Sequence, residues 1–227
     1  MKKVIAIVPC RKNSIGIKNK NMKIFCGKPL IYWTIKSLKD SKIIKDIYVT
    51  SDSKKILYYC SKLKVKTIYR PKNLATSKSK SEDAIIHAIK KIKKDFKYIV
   101  FAQATSPLRP TNVFDDALKF FFKGEFDSLF SSVEVKNIFT WEKKGSKLKP
   151  NYNYKKRKMR QQLNKSYYEN GSFYIFNKKG ILKNNNRLFG KIGMYKLDKV
   201  YSSDIDEMID FKISELINKN FIKNNVR

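Results

Sequence analysis

The stretch Val4-Ile-Ala-Ile-Val-Pro-Cys-Arg-Lys-Asn-Ser-Ile-Gly-Ile-Lys-Asn-Lys-Asn-Met22 decides the reading of this chain. The apolar run Val4–Val8 reads as a fully buried strand, and Pro9 ends it. From Cys10 to Asn21 the sequence is mostly polar, cationic or turn-forming, and the next helical signal waits until Pro29. A strand thus delivers a basic loop to the edge of a sheet. Arg11, Lys12, Lys18 and Lys20, with the backbone N–H groups between them, suit a polyphosphate. A solvated basic loop in a lysine-rich protein is the plainer reading. The loop has neither the Gly-Lys-Ser/Thr ending of a P-loop nor the three spaced glycines of a dinucleotide fold.

Working outward, apolar runs alternate with helical periodicity. Ile47–Thr50, Val65–Tyr69, Tyr98–Ala102 and Ser128–Val135 read as strands, and Lys54–Leu63, Ser81–Lys93 and Asn112–Phe122 as helices. This alternation predicts an α/β domain with a mostly parallel, Rossmann-like sheet and helices on both faces. Ligands in such folds sit beyond the carboxyl ends of strands, which selects the loops after Val8, Thr50, Tyr69 and Ala102. From about residue 137 to 166 the pattern breaks down into aromatics, charges and turn residues, including the basic run Lys155–Lys158. Regularity returns with Gly171–Phe176, Ile192–Leu197 and a last helix over Asp206–Lys219.

The 227 residues suffice for one domain, and 42% hydrophobic content argues for a folded chain. The net charge of +32 invites a nucleic-acid reading. The lysines, however, are spread over every segment, and no zinc finger, helix-turn-helix or ribonucleoprotein motif accompanies them. The expectation is no specific nucleic acid, but attraction of small anions. No segment approaches the roughly 18 apolar residues of a membrane helix, so no membrane partner is expected. Cys10, Cys26 and Cys60 lack metal spacing and cannot all pair, which points to free thiols in a reducing cytoplasm.

Two further constellations bear on chemistry. Asp204 and Asp206 lie two apart, so on an extended segment both carboxylates point the same way and offer hard oxygen ligands to Mg²⁺. Capping of the following helix is the alternative. Gln103-Ala-Thr-Ser-Pro-Leu-Arg-Pro110 leaves the end of a buried strand, where its polar groups could read a hydroxyl-rich ligand. A plain proline loop capping the next helix is the alternative there. His87 reads as structural, and the aromatics of Tyr167–Tyr174 read as core.

Together these segments resemble the acylneuraminate cytidylyltransferases, the CMP-sialic acid synthetases with their legionaminic and pseudaminic acid relatives. The resemblance covers nearly the whole chain in order: Pro9–Asn21, Gly27-Lys-Pro-Leu30, Thr50-Ser-Asp52, Arg70-Pro71 with Leu74-Ala75, Gln103–Arg109, Arg160-Gln-Gln162, Asn170-Gly171 and Asp204-Ile-Asp206. It implies a CTP-dependent nucleotidyltransferase that activates a nine-carbon 2-keto acid sugar, releasing pyrophosphate. It implies that Arg11, Asn13, Ser14, Lys20, Asn21, Arg70 and Ser81 surround the nucleotide. Gln103, Arg160 and Tyr174 would meet the sugar, and Asp204 and Asp206 would hold Mg²⁺. Arg11, Lys20, Asp204 and Asp206 would carry the chemistry. The segment at about 137–166 would be an extension for homodimerisation inserted in a single domain, 1–227.

Three departures stand out: Ile15 where the family commonly has Lys, Ser77-Lys78 where an Asp usually follows, and Tyr168-Glu-Asn-Gly171 in place of Arg-Pro-Asn-Gly. The rival readings are a relative using 3-deoxy-octulosonate or GTP, and a basic nucleic-acid-binding protein that has lost catalysis.

Overall fold

The computed structural model describes residues 3–14, 16–135 and 139–222. Strand β1 (Val4–Pro9) lies at the centre of the sheet, and its first five residues are buried on both faces. A hairpin of β2 (Ile24–Phe25) and β3 (Lys28–Pro29) leads into helix α1 (Leu30–Lys39). Then follow β4 (Ile44–Ser51), α2 (Lys54–Lys62), β5 (Lys66–Tyr69), α3 (Ser81–Lys91), β6 (Tyr98–Ala102), α4 (Val113–Lys123) and β7 (Ser128–Val135). A short hairpin, β8 (Trp141–Lys144) with β9 (Lys147–Pro150), precedes β10 (Ser166–Asn177). The chain continues through α5 (Lys178–Asn184), β11 (Ile192–Leu197) and α6 (Met208–Ile217).

The main sheet runs β11-β7-β10-β6-β1-β4-β5. β10 alone runs antiparallel to its neighbours β6 and β7, so the sheet is mostly parallel as the alternation predicts. From β1 the chain steps outward to β4 and β5, then returns through α3 to place β6 on the other side of β1. That reversal opens a crevice beyond the carboxyl ends of β1 and β6, the place where such sheets bind ligands.

Alternation along β1 sends Val4, Ala6 and Val8 to one face and Ile5 and Ile7 to the other. The first group packs with α1, α2 and α4 through Ile35, Cys60 and Phe114. The second packs with α3 and α5 through Ile85, Ile89 and Ile181. A third, smaller core joins Ile17, Phe25, Leu30, Leu108, Ile205 and Phe211. It lies where the loop after β1, the loop after β6 and the segment before α6 meet.

Two expectations about boundaries are refined. The last helix starts at Met208 rather than Asp206, because Glu207 occupies the capping position and Asp210 accepts from its N–H at 2.7 Å. The irregular segment contains the β8–β9 hairpin, whose strands are exposed and so lack the burial alternation that reveals a strand in sequence. Residues 137 and 138 of that segment, and Ile15, lie outside the described residues.

Candidate active site

A cleft of about 650 Å³ opens at the crevice, within the usual range for ligand pockets. Its walls include Arg11, Ser14, Lys20, Asn21, Arg70, Ser81, Gln103, Asp204 and Asp206. Nine of the expected site residues, drawn from four separated segments, therefore share one cavity. Asn13 is exposed outside this lining. Tyr174 is buried one layer below, its ring stacked 5.3 Å from Phe101, which lines the cleft floor. Arg160 opens a short 3-10 turn, Arg160–Gln162, and its side chain is outside the described ones.

The loop after β1 is held by specific bonds rather than left solvated. Cys10 N–H donates to Thr50 O at 2.9 Å, and Lys12 N–H to the Asp52 carboxylate at 2.7 Å. Buried Asn21 donates its side-chain amide to Arg11 O at 3.1 Å. Arg11 itself reaches across to Thr76 O at 3.1 Å, which ties the loop to the segment before α3. Ile17 turns inward to the third core. At Gly16 there is no room for a side chain: a Cβ would lie 2.2 Å from the Asp206 carbonyl oxygen. The basic loop thus sits directly on the acidic segment.

That segment obeys the alternation expected of an extended chain. Ile205 is fully buried in the third core, its N–H bonded to Thr105 O at 2.9 Å, while Asp204 and Asp206 on either side line the cleft. Helix capping falls to Glu207 and Asp210, so neither cleft carboxylate is spent on it. Asp204 opens to the cleft but is flanked by protein. Burial raises its pKa, Thr105 works against the shift through a hydrogen bond, and the neighbouring charge of Asp206 adds to it. Lys20 is buried and donates to Ile205 O at 2.5 Å and to Asp206 Oδ1 at 3.0 Å.

The donor set suits a hard divalent cation: two adjacent carboxylates facing solvent, each repelling the other's charge. Mg²⁺ usually keeps water and takes one or two protein carboxylates together with substrate phosphates. No cluster of three or more His, Cys, Asp or Glu suited to a metal occurs among the described residues.

Arg70 supplies a second cationic element. It is buried at the end of β5, its Nε has no hydrogen-bond partner among the described residues, and burial lowers its pKa. A buried donor without an acceptor is costly, and an anionic or carbonyl group entering the cleft would satisfy it.

Several contributors escape the sequence reading. Arg109, quoted only as part of a motif, is buried, and its hydrogen-bond acceptors among the described residues are all neutral. It donates to Ser172 Oγ at 3.0 Å, Thr34 Oγ1 at 2.8 Å, and the carbonyls of Gln103 and Ser172, each at 2.8 Å. Burial pushes its pKa down to about 9, so it stays charged at neutral pH, and the nearby Asp204 carboxylate opposes the shift. Arg109 thereby locks the strand end carrying Gln103 to the irregularity in β10 at Gly171, where a Cβ would meet Gln103 Nε2 at 2.9 Å. Arg187 grips Glu82 through two bonds of 2.6 and 3.0 Å and covers the rings of Phe101 and Tyr174. The Tyr174 hydroxyl donates to Glu169, and burial together with that carboxylate raises its pKa. An arginine following Ser-Pro-Leu at the end of a buried strand was a readable hint of a structural cation; Arg187 had no local signal.

Comparison with known proteins adds to this geometry. The family model described as Cytidylyltransferase matches residues 5–224. The chain is 32% identical over 217 residues to N-acylneuraminate cytidylyltransferase A of Danio rerio, covering 93% of this chain and 50% of that one. It is 27% identical over 226 residues to pseudaminic acid cytidylyltransferase of Campylobacter jejuni, covering 96% and 97% respectively. The chain therefore spans about half the length of the N-acylneuraminate relatives it matches and nearly all of the Campylobacter one. The solved structure of CMP:2-keto-3-deoxy-manno-octonic acid synthetase complexed with CTP has the same fold, with a TM-score of 0.72 at 10% identity, covering 96% of this chain and 99% of that one.

Proposed function

The chain belongs to the cytidylyltransferase family, and from that premise we propose that it activates an acidic nine-carbon sugar with CTP. The observation that carries the reading is the single cleft in which Arg11, Lys20 and Arg70 face Asp204 and Asp206 beside Gln103. In the reaction, the anomeric hydroxyl of a 2-keto acid loses its proton and attacks the α-phosphorus of CTP. The bond to the bridging oxygen breaks in line, giving the CMP-sugar and pyrophosphate. Such displacement depends on alignment and charge stabilisation more than on covalent chemistry by the protein.

Arg11 and Lys20 stand where they can take up the charge that builds on the departing pyrophosphate. Arg70 and Asn21 bind the nucleotide, with Ser14 and Ser81 lining the same wall. Gln103, fixed by Arg109 and Gly171, orients the sugar. Asp204 and Asp206 would hold Mg²⁺, which when bound supplies Lewis-acid polarisation and a template for the phosphates. The buried Tyr174 supports the sugar end through Phe101 rather than lining it.

A second copy of the chain docks, in this reading, on the arm formed by residues 139–165. Trp141, Leu148, Tyr154 and Met159 are exposed there by 45 to 65%. Exposed apolar groups in such number mark interaction surfaces. Cys10 and Cys60 are buried outside any disulfide among the described residues, which suits work in a reducing cytoplasm. Among the described residues no helix is long and apolar enough to cross a membrane.

The test is a panel of nucleoside triphosphates against nonulosonic acids and 3-deoxy-octulosonate, with Mg²⁺, scored for pyrophosphate and for the nucleotide sugar. CTP with a nine-carbon acid should give a CMP product. Turnover confined to another nucleotide or to the eight-carbon acid would replace the substrate assignment. Steep salt-dependent nucleic-acid binding without CTP turnover would replace the enzyme reading.

A further inference from the structure

The Lys20–Asp206 pair joins a hidden cation to an open anion. The Lys20 side chain is 8% exposed and the Asp206 side chain 78%. The ammonium is anchored from behind by Ile205 O at 2.5 Å, and Asp206 Oδ1, at 3.0 Å, is its only carboxylate partner among the described residues. The segment carrying Asp206 is fixed from both sides. Gly16 packs against its carbonyl, and Ile205 is seated in the third core. The backbone that carries the carboxylate therefore cannot shift aside with its lysine when another cation approaches.

Resting on the reading of Asp204 and Asp206 as metal ligands, we propose that Lys20 stands in for the divalent cation at Asp206 in the substrate-free protein. It gives up that carboxylate far more readily when nucleotide phosphates offer its ammonium a replacement partner, whereas metal alone must compete for it at high concentration. An ammonium at 3.0 Å occupies acceptor capacity on Oδ1 and repels a second cation placed beside it. Phosphate oxygens are strong acceptors for a lysine, so the arriving triphosphate supplies both the exchange partner for Lys20 and further ligands for the metal. Metal alone then binds weakly. The carboxylate pair stays partly neutralised while the cleft is empty, and the metal enters with the nucleotide.

The experiment titrates the full chain with Mn²⁺ in the absence of nucleotide, reading free Mn²⁺ by electron paramagnetic resonance. Lys20→Gln keeps a donor near Ile205 O and removes the charge. It should bind Mn²⁺ about tenfold more tightly than wild type, as expected for loss of one partly exposed competing ion pair. Lys80→Gln is the control, because Lys80 lines the same cleft without a contact to Asp206. A general charge effect would make both variants gain equally, and that result, or no gain in Lys20→Gln, overturns the proposal. Asp206→Asn separates the two layers of the argument. If it binds Mn²⁺ as wild type does, the metal assignment itself fails; if it loses binding while Lys20→Gln gains nothing, only the stand-in role fails. Should Lys20→Gln not fold, the wild-type chain still decides. Saturating Mn²⁺ should raise the rate at which an amine-specific reagent labels Lys20 several-fold, and an unchanged rate overturns the proposal.

Discussion

In and behind the cleft, Asn21, Lys20 and Arg109 commit their polar atoms to backbone carbonyls of neighbouring segments. Along the arm, by contrast, Phe139, Trp141, Tyr152 and Tyr154 contact one another at the surface, with Arg157 over Phe139. Both regions are rich in cations. The difference lies in what fixes them. Cleft groups are placed by a buried lattice of hydrogen bonds over the third core, so their geometry exists before substrate arrives. The arm carries its apolar groups outward and gains a comparable environment only against another surface.

The largest effects should come from the acidic segment. If Asp206 holds the metal as proposed, Asp206→Ala should lower turnover by about three orders of magnitude or more, while circular dichroism reports an intact fold. Asp204→Asn should be similarly inactive but should melt at a higher temperature than wild type near pH 8. Its pKa is raised by burial and by Asp206. A carboxyl so displaced favours the fold only while protonated, below the ordinary aspartate value near ~3.9, and loses that contribution as pH rises through the folded value. The gain in Asp204→Asn should therefore shrink toward pH 4. A variant less stable than wild type at pH 8 would contradict the account of a strained carboxylate pair.

Arg109→Met should come next, costing about 2–4 kcal/mol in chemical denaturation, because two carbonyls and two hydroxyls lose a buried donor. In the folded fraction, KM for the sugar should rise more than KM for CTP. The clamp holds Gln103 and Ser172, while the nucleotide wall has its own bonds. Equal changes in both would show that the two walls are not separately supported.

Breaking the Glu82–Arg187 pair should have a smaller, pH-dependent effect. Burial works to raise the Glu82 pKa, but the hydrogen bonds and charge of Arg187 outweigh it and hold the carboxyl below its ordinary value. Its contribution is present above that ordinary value, near ~4.3, and is lost as pH falls through the lowered one. Glu82→Gln should cost about 2 kcal/mol at pH 7 and progressively less in acid, measured by urea unfolding across pH.

The smallest effect on subunit stability should come from the arm. Trp141→Ser with Leu148→Ser should change unfolding free energy by no more than about 0.5 kcal/mol, since both side chains are exposed. If two copies pair through the arm, as proposed, light scattering should nevertheless report a dimer for wild type and a monomer for the variant. An equal mass for the two proteins would remove the arm from that role.

The same contrast explains what was legible in the chain. Val4–Val8 and Ile99–Ala102 are buried on both faces, and such runs announce central parallel strands. Asp204 and Asp206 were legible as a pair because extended chain alternates, although only the fold reveals Ile205 as the peg that turns them outward. Arg187 and Gly16 gave little warning, and Arg109 only the hint of its place after Ser-Pro-Leu. Their partners lie 63, 75 and 105 residues away for the two arginines, and no local period encodes contacts of that range. The β8–β9 hairpin was missed because neither of its faces is buried.

The most direct test of the central claim is pyrophosphate release from CTP and Mg²⁺, measured with and without a nine-carbon 2-keto acid, in wild type and Asp206→Ala side by side. The account predicts sugar-dependent release with stoichiometric CMP-sugar in wild type and almost none in the variant. Release of equal rate in the two proteins, or release indifferent to the acid sugar, would contradict it.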